Sequence, residues 1–199
     1  NGYGEHNIQG IGDKHVPLIH NVMNTDFVVG VSDKATNNLN LIFNTKEGKN
    51  FLISKKGFNT NFINRLPDFG FSTIANIIAS IKLAKYMKLG SDDAIITVAT
   101  DGADLYFSEL EKTKEEFKGI YDEIACSEIY GQYLKGIVTD HTLELNQKDK
   151  ERIFNLGYYT WVEQQGVEIN DFEKRRDQIF WNEHYNYMLS LDNKVNEFN

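Results

Sequence analysis

The sequence predicts an α/β fold: a parallel sheet with flanking helices, followed by a mainly helical C-terminal extension. Three observations carry this expectation. Ile74, Ile77, Ile78, Ile81 and Ala84 recur at helical spacing between Ser72 and Gly90. A short turn with Ser91, Asp92 and Asp93 then leads into Ile95 to Ala99 (IITVA), an apolar run that reads as a buried strand. Helix, turn and buried strand in this order are the unit of a parallel α/β layer. From Asp104 onward the periodicity turns helical.

The first 24 residues are rich in glycine, histidine and asparagine and read as a structured loop. Phe27 to Val31 is a short valine-rich strand candidate. Ser32 or Asp33 caps a helix over Lys34 to Asn44, with Leu39, Ile42 and Phe43 on its buried face. Lys46 to Lys56 forms a second helix stopped by Gly57, and Thr60 to Leu66 a third ended by Pro67. The later helices are expected over Asp104 to Lys118, Asp122 to Leu134, Gln147 to Gln165 and Asp171 to Tyr187, with a frayed tail after Leu191. Domain boundaries are drawn at 1–110 for the α/β part and 111–199 for the helical extension.

Composition narrows the function classes. The chain has 199 residues, 41% hydrophobic and 25% charged, which is ordinary globular balance. A net charge of -8 disfavours general nucleic-acid binding. Cys126 is the only cysteine, so no internal disulfide forms and a cytoplasmic setting fits. No apolar run approaches the ~20 residues needed to cross a bilayer, so no membrane partner is expected. The chain opens at Asn1 in what reads as a loop, from which a preceding segment is expected.

The motifs give several candidates. Gly10-Ile11-Gly12 lacks the third glycine of a dinucleotide fingerprint, since His15 stands there, and no P-loop is present. The pair reads either as a tight turn or as backbone that approaches a flat ligand closely. Ser72 and Thr73 open a long helix, as caps or as contacts to a carboxylate or phosphate. Thr100-Asp101-Gly102 follows the expected strand, at the position where an α/β sheet binds ligands, or else caps the next helix. His6, His15 and His20 do not have metal-site spacing and HExxH is absent, so no metal is expected. Cys126 reads as a buried small residue. Lys148 and Lys150 read as a solvated helix face. Tyr158, Tyr159, Trp161, Phe172, Phe180 and Trp181 read as core or as a subunit interface.

Three blocks carry a family resemblance. Gly4 to Ile19, GEHNIQGIGDKHVPLI, resembles the "IQGIG…P" loop of the cysteine synthase and cystathionine β-synthase family. Gly70 to Lys82, GFSTIANIIASIK, resembles that family's "GISSGA…AAxK" turn and helix. Ile95 to Phe107, IITVATDGADLYF, resembles its strand followed by "PDSxxxY" or "SSGxxY". The blocks occur in the family's order and span Gly4 to Phe107; the RIFNLGYYTWVEQQG and FEKRRDQIFW stretches resemble an extension of longer members.

The resemblance implies an incomplete fold-type II enzyme dependent on pyridoxal 5'-phosphate, catalysing β-elimination or β-replacement on an amino acid as a lyase or transferase. The lysine that holds the cofactor, and the glycine-rich phosphate loop, are expected outside these residues, so the fragment alone is expected to be inactive. By the same resemblance Gly10, Ile11 and Gly12 pass beside the pyridine ring, and His6, Gln9 and Ser72 face the substrate. Thr100 or Asp101 faces the pyridine nitrogen; an alignment on Tyr106 puts Gly102 there instead. The expected partners are an amino-acid substrate and a second copy of the full-length protein. Two alternatives stand beside this: a threonine-synthase-like or thiolase-like reaction, and a non-catalytic subunit that completes a partner's site.

Overall fold

The structure, a computed structural model, describes residues 6–8, 11–12 and 15–198. Helices dominate it, and the sheet found among the described residues has only two strands, β1 (Phe27–Val29) and β2 (Thr142–Glu144), paired antiparallel. The expected parallel sheet is therefore corrected. Residues 93–102 form no strand, and Ile96 is 96% exposed. The physical reason is that a strand closes its hydrogen bonds only against another strand. Here the main chain is held by a helix instead: Asn76 donates to the Val98 carbonyl at 3.0 Å, and the Thr100 N–H donates to Thr73 Oγ1 at 3.0 Å.

The chain divides into two compact units. One comprises residues 29–142 together with the described residues of 6–12. Its first helix, α1 (Asp33–Asn44), starts where expected, because Ser32 Oγ accepts from the Ala35 N–H at 3.2 Å. Thr45 ends α1 and caps α2 (Lys46–Lys56), accepting from the Gly48 N–H at 3.1 Å. Gly57 stops α2 at φ 71°, a left-handed conformation that suits glycine. A short helix α3 (Thr60–Ile63) and a 3₁₀ turn (Leu66–Asp68) lead into α4 (Phe71–Met87). Pro67 sits inside that turn, so the third helix ends earlier than the sequence suggested. A 3₁₀ turn (Ala103–Tyr106) precedes α5 (Phe107–Glu115), and α6 (Glu123–Tyr130), capped by Asp122, runs on as a π-helix to Lys135.

The core of this unit is built from α1, α2, α4 and α6. Leu39, Leu41 and Ile42 of α1 meet Phe51 and Leu52 of α2, Ile74 and Ile78 of α4, and Cys126 and Ile129 of α6. Cys126 is fully buried and serves as core, as its small apolar character suggested. Burial pushes its thiol above the usual range, which disfavours a nucleophile.

The other unit comprises residues 15–28 and 143–198. It contains α7 (Gln147–Tyr158) with a π-helical extension to Gln164, α8 (Ile169–Lys174) and α9 (Gln178–Phe198). Val22, Phe154 and Phe172 form its core, with the Phe154 and Phe172 rings 4.7 Å apart. Trp161, partly buried, packs against this core and donates its Nε1–H to the Val16 carbonyl at 2.8 Å, while Phe172 belongs to the core itself. Tyr159 stands 61% exposed. Lys148 is exposed as expected, but Lys150 is not on the solvated face: its ammonium pairs with Asp26 at 2.8 Å. The tail after Leu191 stays helical to Phe198. No helix among the described residues is long and apolar enough to cross a membrane.

Candidate functional site

The start of α4 organises the site. Gly70 is its N-cap, so Ser72 and Thr73 lie in the first turn and neither is the capping residue. The Gly70 N–H donates to the Asp101 carbonyl at 2.8 Å. A side chain at position 70 would bring its first carbon within 2.8 Å of Asp101 Oδ1 and of the Tyr106 ring, so this close approach needs glycine. Asp101 thus lies beside the positive end of the helix, where a carboxylate is favoured. Thr100 donates its hydroxyl to Asp101 Oδ1 at 2.8 Å, and Tyr106 donates its phenol to Oδ2. These bonds, the Tyr106 bond first, hold the Asp101 carboxyl below the usual carboxylate range. Burial and the Asp101 bond push the Tyr106 phenol up to about 12. Tyr106 in turn stacks on Phe71 with centroids 4.4 Å apart and planes 21° apart.

The sequence candidates are distributed as follows. Thr100, Asp101 and Tyr106 are brought together, and they close on the α4 start that carries Ser72. Ser72 is buried, 2% exposed. Ile11 is half exposed, and the ring of His6 covers Gly12, where an added side chain would collide with it. Gln9 and Gly10 lie outside the described residues. Asn7, in the same block as these, reaches into the helical unit. Its N–H donates to Asp33 Oδ2 at 2.9 Å, and its amide to Asn37 Oδ1 at 3.1 Å and Glu109 Oε2 at 3.5 Å. It bridges α1 and α5.

Between the same two helices lies a cleft of about 440 Å³, lined by Asn40 and Asn44 of α1, Lys49 of α2, Pro67, Asp104 and Tyr106, with Phe107 and Leu110 of α5. Asn40 and Asn44 are linked, the Asn44 amide donating to Asn40 Oδ1 at 2.9 Å. Sequence reasoning passed over this feature. Its signal is Asn37, Asn40 and Asn44 at helical i, i+3 and i+7 spacing, a polar stripe along one face of α1.

A second cleft of about 520 Å³ includes Gly30, Lys82, Gln132, Asp140 and His141. Lys82 is 7% exposed, and its ammonium donates to the Gly30 carbonyl at 2.9 Å, the Asp140 carbonyl at 2.8 Å and Asp140 Oδ1 at 2.8 Å. All three N–H groups are used, so Lys82 acts as a tether between two chain segments. The Asp140 carboxyl is held below its usual range by Lys82.

His20 bonds Thr25 Oγ1 at 3.0 Å, and burial, then the Arg175 charge, lowers its pKa. No group of residues that could hold a metal occurs among the described residues. No protein-family model, curated protein or solved structure matches the chain.

Proposed function

We propose that this chain supplies an amino-acid-facing part of a pyridoxal 5'-phosphate-dependent enzyme of the β-elimination and β-replacement type, its reactive lysine lying outside this sequence. The observation that supports this reading is convergence. The three blocks that resemble the cysteine synthase family are far apart in sequence, yet they border one region. The third block's Thr100, Asp101 and Tyr106 are bonded to the second block's Gly70 and Thr73 and stacked on its Phe71. Asn7 of the first block ties to α5 directly after that turn.

The described residues do not by themselves make a site for pyridoxal phosphate. Both Asp101 oxygens already accept hydrogen bonds, and the His6 ring fills the space over Gly12 that a flat ring would need. What the chain contributes is binding and orientation. Asp101 stays anionic and Tyr106 stays protonated at neutral pH, which fixes the turn that leads into the α1/α5 cleft. The full-length protein is proposed to act as a homodimer, and the exposed Ile179, Met188 and Leu189 of α9 support such pairing.

The test is spectroscopy and product analysis on the full-length gene product. Bound pyridoxal phosphate should give a visible absorbance that changes when O-acetylserine is added, with acetate released. Absence of cofactor absorbance, or a preceding sequence without a candidate lysine and glycine-rich loop, overturns the proposal. Cofactor absorbance that is silent to O-acetylserine turns it toward the threonine-synthase-like or thiolase-like reaction.

A further inference from the structure

Arg175, in the unit of residues 15–28 and 143–198, is 4% exposed, and its Nε and Nη1 are enclosed without a hydrogen-bond partner among the described residues. The acids beside it in sequence are engaged elsewhere. Asp171 pairs with Lys174 at 2.8 Å, Glu173 pairs with Arg176 Nε at 2.5 Å, and Asp177 accepts from the Ile179 N–H at 2.9 Å. What faces the guanidinium is aromatic: its central carbon lies 5.3 Å from the centre of the Phe154 ring and 5.0 Å from that of Phe172. Ring faces attract the cation, but they do not replace the oxygen acceptors that its N–H groups require. A buried ion left without such a partner is far costlier than a paired one. Burial, then the Arg175 charge, lowers the pKa of the partly exposed His20. His20 is therefore neutral at pH 7 and adds no second charge beside Arg175.

We propose that Arg175 anchors a binding site for a small organic monocarboxylate. The carboxylate accepts from the enclosed N–H groups, and the apolar surroundings take the ligand's carbon chain. The planar fork of a guanidinium matches the two oxygens of a carboxylate. One unpaired cation beside a neutral histidine balances one negative charge, so a phosphate dianion keeps a surplus charge. An α-amino acid is disfavoured too, because it brings an ammonium to a place where the neighbouring acids are already engaged. The inference stands apart from the enzyme reading, whose Asp101 turn lies in the other unit.

Urea unfolding of the 199-residue chain with sodium propionate, sodium phosphate or L-alanine, at an ionic strength matched with sodium chloride, tests it. A ligand that binds only the folded chain raises the unfolding midpoint. Propionate should raise it saturably, whereas phosphate and L-alanine (propionate with an ammonium added) should not. Arg175→Met should abolish the propionate response. Without ligand it should unfold at a midpoint no lower than the parent's, because an unpaired buried charge is gone. Arg176→Met removes a charge that Glu173 already meets, and should keep the response. Should Arg175→Met fail to fold, the nuclear magnetic resonance signal of the Arg175 Nε–H in the parent takes its place, and propionate should shift it saturably. The inference is overturned if propionate gives no saturable response, if Arg175→Met responds as the parent does, if the Nε–H signal stays unmoved, or if phosphate or L-alanine acts as strongly as propionate.

Discussion

Helix α4 and the segment 94–99 are neighbours with similar composition and opposite fates. Both are rich in isoleucine, and the sequence places both in the interior. Ile74 and Ile78 of α4 are 0% and 2% exposed, whereas Ile95, Ile96 and Val98 are 38%, 96% and 67% exposed. A helix satisfies its own main chain, so α4 needs only one apolar face to pack. An extended segment must borrow hydrogen bonds from a neighbour, and among the described residues α4 gives it one, at the Val98 carbonyl, with a second at the Thr100 N–H just beyond its end. Apolar content decides that a segment seeks burial; the backbone decides whether it can reach it.

The largest expected effect breaks the buried side of this comparison. Ile74→Ala removes a fully buried side chain where α1 and α4 meet, and should cost about 2–5 kcal/mol in urea unfolding. Lys82→Met should cost less, about 2 kcal/mol, because it leaves two carbonyls without their donor while the Asp140 side chain turns to solvent. A loss below that of a surface substitution would refute the tether.

Tyr106→Phe keeps the stack on Phe71 and removes the bond to Asp101, at a cost of about 1 kcal/mol. Its pH signature has two arms. Asp101 has a depressed folded pKa, so its contribution is present above the unfolded value of a carboxylate and is lost as pH falls through the lower folded value. Tyr106 has a raised folded pKa, so its contribution is present below the unfolded value of 10.0 and is lost as pH rises toward about 12. The variant should flatten both arms of the stability profile relative to the parent.

The smallest stability effect belongs to the exposed side. Ile96→Lys should change stability by no more than about 0.5 kcal/mol. It should also slow aggregation followed by light scattering, because a charge interrupts an exposed β-prone run. A loss of stability like that of Ile74→Ala would mean that the segment is buried after all.

Much of the helical framework was legible because its signals are local. Ser32, Thr45, Asp122 and Gly57 mark helix ends through bonds or dihedral angles within four residues. Of the sheet, the strand at Phe27–Val29 was legible, but its partner Thr142–Glu144 was not and residues 95–99 were misread, since strand pairing depends on what lies beside the segment in space. Of the candidate site, Thr100 and Asp101 were anticipated, but not their enclosure by Tyr106 and the α4 start. The reading of Ser72 as a cap failed by two residues, because Gly70 takes that position through a contact with a residue 31 positions later. The cleft at Asn40 was overlooked because asparagine within a helix is ordinarily a surface residue, and its burial depends on α5.

The turn after residue 100 is seated on the start of α4. A double-mutant cycle on Phe71→Leu and Tyr106→Leu, read by urea unfolding, measures that seating. The stack between the two rings predicts a coupling of about 0.5–1.5 kcal/mol. Costs that add to within about 0.3 kcal/mol would contradict it, and the meeting of the second and third blocks would go with it.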